Sequence, residues 1–234
     1  MRFILVHGGT VGAFCWENLL PELAALGHEG VAVDLPGHGA RRGERSTVEG
    51  YRDAVLDVLH DGDVLVGNSL GGCVVTVAAD AAAQQLRHVI FLAGGPAVDG
   101  VAFSASARID HSAYVEEVQT PHGPAVAYTR EGARHLFYND CSDADFERMF
   151  PQHTPQQLEP LTTPISLRRF PDISAPCSLI LCTLDNSGVN DGAEEYLQRI
   201  RADQAYIMDA SHFPFVSRPG ATAALLVKVA ERGG

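Results

Sequence analysis

One serine stands in a setting that would make it a nucleophile. Ser69 is the centre of the segment Gly67–Gly71 (Gly-Asn-Ser-Leu-Gly), which follows the apolar run 64–66 and precedes a helical pattern from Leu70. A serine on such a strand-to-helix turn needs neighbours without a Cβ atom, and the two glycines provide them. The helix directs free N–H groups at negative charge beside the hydroxyl. The motif predicts a nucleophilic serine; the alternative is a glycine-rich turn with an incidental serine.

A serine hydroxyl needs a general base, and the base needs a carboxylate that orients it. Among the ten histidines, His212 follows the last predicted strand, and active sites of parallel sheets collect at the carboxyl ends of strands. Asp185 comes three residues after a strand that ends at Cys182, which places it at the same edge. We predict His212 as the base and Asp185 as the acid. We interpret Asp191 as part of the first turn of a helix. Asp209 stands three residues before His212, and we interpret it as a residue that orders the His212 loop.

An anionic intermediate beside Ser69 needs two hydrogen-bond donors, which together form an oxyanion hole. We predict that one is the backbone N–H of Leu70, which directly follows the nucleophile, and that the other comes from the loop after the first strand, at Gly9. Glycine lets the chain approach a substrate closely, although Gly9 is equally compatible with a simple tight turn. His7 opens the same loop, and we assign it a supporting role.

The elements that must position these residues alternate between strand and helix. Apolar strands are predicted at 3–6, 31–33, 64–66, 89–92, 179–182 and 205–208. Helical patterns lie between them, for example the pattern of Trp16, Leu19, Leu23 and Leu26 that ends at Gly27. Fully apolar strands that alternate with helices predict an α/β fold, with a mostly parallel sheet of about six strands flanked by helices on both faces.

The alternation stops after Pro96 and resumes after Pro171. Between residue 97 and about residue 170 there is no clear strand, while prolines, histidines and aromatic residues become dense. We interpret this segment as an inserted, mainly helical cap on a single domain whose core is 1–96 and 171–234. The aromatic side chains either fill the small core of the cap itself or form an apolar lid over the site.

Composition excludes several classes of function. The 234 residues are 46% hydrophobic, which is enough for one substantial core, and the formal net charge is −12. The 17 lysines and arginines are scattered, so we expect no binding of nucleic acid. No apolar run approaches the roughly 20 residues of a membrane span, and no signal peptide is visible. Five cysteines without zinc spacing, and histidines without metal-ligand spacing, indicate a cytoplasmic protein with reduced thiols and no metal site.

These motifs together resemble those of the α/β-hydrolase superfamily and, within it, the plant methylesterase and hydroxynitrile lyase group with its bacterial esterase relatives. The segments that carry the resemblance are His7-Gly8-Gly9, Gly12-Ala13-Phe14-Cys15-Trp16, Asp34-Leu35-Pro36-Gly37-His38-Gly39, Gly67-Asn68-Ser69-Leu70-Gly71-Gly72, Phe137-Tyr138-Asn139-Asp140-Cys141, Asp185 and Ser211-His212-Phe213-Pro214-Phe215. The resemblance spans nearly the whole chain. It implies the α/β-hydrolase fold, a triad of Ser69, Asp185 and His212, no cofactor, and a pocket between the sheet edge and the cap.

The expected partner is a small-molecule substrate, and a homodimer is left open as an assembly. Five aromatic residues near the triad or in the cap are our candidates for substrate contact. They are Phe14, Tyr128, Phe137, Tyr138 and Phe213.

The lyases of this group resemble one another in a threonine directly after the first histidine and a lysine directly after the catalytic one. This chain has Gly8 and Phe213 at those positions, so it lacks a cation that would stabilise departing cyanide. We therefore predict a serine hydrolase for a small, largely apolar carboxylic ester or lactone. The alternatives are a carbon–carbon bond hydrolase or lyase with the same triad, and a receptor-like binding protein with slow turnover.

Overall fold

The structure, a computed structural model, describes residues 1–82, 84–106 and 110–232. The strands in this part of the chain are β1 (Arg2–Val6), β2 (Glu29–Val33), β3 (Val64–Asn68), β4 (His88–Leu92), β5 (Val115–Thr120), β6 (Gly123–Tyr128), β7 (Gln156–Gln157), β8 (Cys177–Cys182) and β9 (Tyr206–Met208). The α-helices are α1 (Leu19–Ala25), α2 (Val48–Leu56), α3 (Leu70–Ala81), α4 (Arg130–Leu136), α5 (Asp143–Met149), α6 (Leu158–Thr162), α7 (Ala193–Ile200), α8 (Pro214–Ser217) and α9 (Pro219–Arg232).

Six strands form the central sheet in the order β2-β1-β3-β4-β8-β9, and every neighbouring pair is parallel. The predicted fold class is confirmed. Because all six strands run the same way, their carboxyl ends meet at one edge, where Val6 of β1 pairs with Gly67 of β3. The loops after β1, β3, β8 and β9 therefore start at the same edge of the sheet.

Helices cover both faces of this sheet, because alternate residues of each buried strand point to opposite sides. On one face, Phe3 and Leu5 of β1 pack into a core that includes Trp16 and residues of α1 and α9. On the other face, Ile4 and Val6 pack with Tyr51 and with residues of α2, α3 and α7. The inner strands β1, β3 and β4 can be almost wholly apolar because neither of their faces meets water.

The cap contains a sheet that the sequence analysis did not predict. β5, β6 and β7 form a three-stranded antiparallel sheet, in which Val115 pairs with Tyr128 across a hairpin whose turn is formed by Pro121 and His122. The prediction that segment 97–170 has no clear strand was therefore wrong. The reason is that every residue of β5 is exposed or only partly buried, so this strand carries no apolar run. Its stability comes from backbone pairing and from the hairpin, whose Gly123 has a φ of 109° that favours glycine.

Several helix boundaries follow local sequence signals. The side chain of Thr47 accepts a hydrogen bond from the N–H of Gly50 and caps α2. The segment from Trp16 to Leu26 is not one helix, however. A 3₁₀ turn over Ala13–Trp16 precedes α1, and Gly27, with a φ of 79°, follows its end.

Candidate active site

Ser69 occupies a strained turn between β3 and α3. Its φ of 54° and ψ of −122° are unfavourable for a residue with a side chain, at a cost of roughly 1–3 kcal/mol. The end of β4 holds the turn, since the Ser69 N–H donates to the carbonyl of Ala93 at 3.1 Å. A Cβ atom at Gly67 would collide with the carbonyl of Gly71, and one at Gly71 would collide with the carbonyl of Val6. The two glycines of the motif are therefore needed for close packing around the serine.

His212 and Asp185 form a buried, hydrogen-bonded pair. Nδ1 of His212 donates to Oδ2 of Asp185 at 2.7 Å, and the exposed fractions of the two side chains are 2% and 0%. Asp185 follows β8 and His212 follows β9, so the parallel sheet places both at one edge. The competing carboxylates are exposed: Asp191 lies in the 3₁₀ turn Val189–Gly192 before α7, and Asp209 accepts a hydrogen bond from the Thr183 hydroxyl.

The charge state of Asp185 follows from its neighbours. Burial on its own would raise the pKa of this carboxyl group, because it removes the charged form from water. Attraction to His212, together with hydrogen bonds from His212 and Ser187, outweighs that effect and lowers the pKa of Asp185. The residue is therefore a carboxylate at neutral pH and can stabilise a positive charge that develops on His212.

Two backbone N–H groups, those of Leu70 and Gly9, are candidates for an oxyanion hole. Leu70 is the first residue of α3, so its N–H has no acceptor within the helix, and Gly9 lies in the loop after β1. Both residues line the same cavity as Ser69. This arrangement provides candidate donors for a tetrahedral intermediate.

His7 supports this loop. Its Nδ1 donates to the Gly8 carbonyl at 2.7 Å, and its Nε2 accepts from the Leu35 N–H at 3.1 Å. These partners require the neutral ring, and complete burial lowers the pKa of His7 to about 4.

A cavity of about 280 Å³ lies between the sheet edge and the cap. Ser69, His212, Gly9 and Leu70 line it from the core. Of the predicted substrate contacts, Tyr128, Phe137 and Phe213 line the cavity as well. The ring of Phe137 stands 5.1 Å from the ring of His212, measured between centroids, so an aromatic wall adjoins the candidate base.

The other two candidates for substrate contact, Phe14 and Tyr138, are not among the described residues that line the cavity, so their contact with substrate stays a prediction. The side chain of Tyr138 is fully buried, and its hydroxyl forms a 2.8 Å hydrogen bond with Nε2 of His153. Phe14 is half-buried and its ring centroid is 6.5 Å from that of His153. Aromatic residue type alone cannot separate a wall of the cavity from the packing behind it.

Sequence reasoning missed five polar residues that line the cavity: Thr10, Ser104, His111, Gln156 and Ser187. The sequence patterns described above assign none of them a role. Ser187 carried a usable signal, because a serine two residues after a carboxylate commonly donates its N–H back to that side chain, as it does here to Asp185 at 2.8 Å.

Neither a metal site nor a membrane span is found in the described residues. No group of three or more His, Cys, Asp or Glu side chains there could hold a metal ion. In the same ranges, no helix has the length and apolar character needed to cross a bilayer. All five cysteines are free thiols.

Comparison with known proteins places this architecture in a family. The model of the alpha/beta hydrolase family matches residues 3–225. The putative methylesterase 12, chloroplastic, of Arabidopsis thaliana is 25% identical over 259 residues, which cover 98% of this chain and 72% of that protein. Polyneuridine aldehyde esterase has a TM-score of 0.84 at 22% identity over 98% of each chain. A pyrethroid hydrolase from Sphingobium faniae JZ-2 has a TM-score of 0.79 at 23% identity, covering 99% of this chain and 97% of that one. Because the family model matches nearly the whole length, the chain belongs to the alpha/beta hydrolase family.

Proposed function

We propose that this chain is a serine hydrolase that cleaves a small, largely apolar carboxylic ester or lactone through an acyl-enzyme intermediate. The observation that carries the proposal is the buried 2.7 Å hydrogen bond between His212 and Asp185, at the wall of the cavity that also holds Ser69. A carboxylate on Nδ1 fixes the proton of the imidazole on that nitrogen, which leaves Nε2 free to accept a proton from a serine hydroxyl.

The reaction then proceeds in two halves. Ser69 Oγ attacks the ester carbonyl while His212 takes its proton, and the N–H groups of Leu70 and Gly9 stabilise the oxyanion. His212 next donates the proton to the departing alcohol, which leaves the acyl group on Ser69. Water activated by His212 releases the acid by the same steps in reverse.

The cavity and the relatives support an ester substrate of modest size. The aromatic wall formed by Tyr128, Phe137 and Phe213 suits an apolar acyl or alcohol group. The names of the relatives, a methylesterase, an esterase and a pyrethroid hydrolase, agree with ester cleavage as the reaction class.

Two residues argue against cyanohydrin cleavage. Phe213 is uncharged and 2% exposed, and its ring packs edge-on against Tyr138, so it provides no cation for cyanide. A Cβ atom at Gly8 would stand 3.0 Å from Cβ of Ser69, so a hydroxyl-bearing side chain there would crowd the nucleophile. Ester hydrolysis needs neither group.

The test combines labelling with product analysis. We expect a fluorophosphonate probe to label Ser69, simple aryl esters to give acid plus alcohol, and Ser69→Ala to lower kcat by up to about 10⁶-fold while remaining folded. Mandelonitrile serves as the competing substrate. Labelling at a different residue, undiminished activity of Ser69→Ala, or cyanide release as fast as ester hydrolysis would overturn the proposal.

A further inference from the structure

Ser187 contacts both members of the acid–base pair. Its N–H donates to Oδ1 of Asp185 at 2.8 Å, and its Oγ lies 3.1 Å from Nδ1 of His212. That nitrogen also donates to Oδ2 of Asp185 at 2.7 Å. The single Nδ1 proton therefore has two acceptors, and the Ser187 hydroxyl hydrogen is free to donate to the Asp185 carboxylate, which already accepts the Ser187 N–H.

A second acceptor matters because of how a histidine side chain rotates. The χ2 torsion of histidine is broad, so one hydrogen bond to Asp185 leaves the plane of the ring loosely defined. Ser187 Oγ approaches the same nitrogen from a second direction and narrows the range of ring orientations. The position of Nε2, which must face Ser69, depends on that orientation, and a small displacement costs much rate.

The backbone of Ser187 is fixed by the cap. Its carbonyl accepts from Nε2 of His111 at 3.2 Å. Because that nitrogen donates, Nδ1 of His111 is the acceptor for the Tyr128 hydroxyl at 2.7 Å. Burial lowers the pKa of His111, which favours the neutral ring that this arrangement requires.

We call the segment 184–187 the acid loop. Two further hydrogen bonds connect it to the cap. The side-chain amide of Asn139 donates to the Leu184 carbonyl at 2.8 Å. The side-chain amide of Asn186 donates to the His135 carbonyl at 3.0 Å. The acid loop thus has Asp185 and Ser187 facing His212 and cap residues behind it.

We propose that Ser187 is a positioning residue for the Asp185–His212 pair, held in place by the cap through its carbonyl. The proposal rests on the proposed serine hydrolase function. The Ser187 hydroxyl orients the imidazole of His212 during proton transfer and makes no contact of its own with the reacting carbonyl.

The test compares three serine variants with an aryl ester. Ser187→Ala should lower kcat about tenfold, because the loss of one hydrogen bond in the transition state has an effect of about that size. Its KM should stay within about twofold of the wild-type value. Ser187→Thr keeps the hydroxyl and should restore kcat to within about threefold. Ser217→Ala is the matched control, since Ser217 also donates to a carboxylate, Oδ2 of Asp140 at 3.0 Å, and neither residue is among the described residues of the cavity wall. Its kcat should not change.

A double-mutant cycle separates positioning from a structural role. In the Asp185→Asn background, Ser187→Ala should lower kcat by less than about twofold, because the pair that it orients is already impaired. Unchanged kcat in Ser187→Ala, a loss confined to KM, no restoration by Ser187→Thr, or a full tenfold loss in the Asp185→Asn background would each overturn the proposal. Thermal unfolding verifies that each variant is folded, and Ser187→Cys replaces Ser187→Ala if the latter fails to fold.

Failure of the positioning proposal can be distinguished from failure of the proposed hydrolase function. If Ser69 is labelled and Ser187→Ala is fully active, only the positioning role is wrong. If the wild-type chain is not labelled at Ser69, the serine hydrolase mechanism itself is wrong.

Discussion

The core and the cap contribute to the cavity in different ways. Ser69, Asp185 and His212 stand on loops that leave parallel strands, and their positions are set by sheet register and by a strained backbone at Ser69. The cap contributes Tyr128 and Phe137, which are held by each other, with ring centroids 4.8 Å apart in an edge-on arrangement. One region is fixed by backbone geometry and the other by side-chain packing.

This difference indicates that the core and the cap have separate roles, which are catalysis and substrate selection. Reacting groups need positions accurate to a fraction of an ångström, and the ends of sheet strands provide them. Substrate selection needs shape, and a small antiparallel sheet with short helices can vary its side chains without disturbing the central sheet. Core substitutions should therefore affect kcat, and substitutions in the cavity wall of the cap should affect KM.

The largest effect in this comparison should come from the core carboxylate. Asp185→Asn keeps the shape of the site but permits the wrong tautomer of His212, so we expect kcat to fall by roughly 10⁴-fold. Asp209→Asn is the control, because Asp209 is exposed and contacts Thr183. Steady-state hydrolysis of an aryl ester measures both. If Asp209→Asn loses most of its kcat while Asp185→Asn is nearly normal, the assignment of Asp185 as the acid is wrong.

An intermediate effect should come from buried neutral histidines, a feature that core and cap share. Burial lowers the pKa of His7 in the core and of His153 in the cap to about 4, from a usual value of 6.5. Below pH 6.5 the unfolded chain binds these protons and the folded chain does not, so the free energy of unfolding should fall as the pH is lowered. Each residue should remove about 2 kcal/mol between pH 7 and pH 5.

Urea unfolding at pH 7, 6 and 5 measures this loss, and the ring-proton chemical shifts of the two histidines in the folded state provide the control. Those shifts should stay constant down to about pH 5. A free energy of unfolding that is flat over this range, or ring protons that titrate near pH 6.5, would contradict the expectation.

The smallest effect should come from the aromatic wall of the cap. Phe137→Leu removes ring surface from the cavity, so we expect KM to rise about tenfold, equivalent to about 1.4 kcal/mol, with kcat within about threefold. Phe146→Leu is the matched control: Phe146 is a buried cap aromatic that packs on Tyr138 and Phe150, and it should leave KM unchanged. A change in kcat without a change in KM for Phe137→Leu would show that the proposed separation of roles between core and cap is wrong.

Prediction from sequence succeeded where the signal is local. The segment Gly67–Gly71 carries its own geometric requirement, since only glycine tolerates the close approaches on either side of Ser69. The strands of the central sheet are visible because each is a short apolar run between turn residues. The hairpin of β5 and β6 gave no such signal, because its strands lie partly in water.

The sequence alone predicts the parallel sheet, the serine turn and the candidate acid and base, because apolar periodicity, glycine sterics and a position just after a strand are properties of neighbouring residues. The tertiary structure is needed to show that Tyr128 lines the cavity while Tyr138 packs behind it. It also shows that Ser187 approaches His212, from a loop 25 residues away in the chain. Contacts of this kind depend on how the cap docks on the sheet edge, and no pattern along one segment encodes that arrangement.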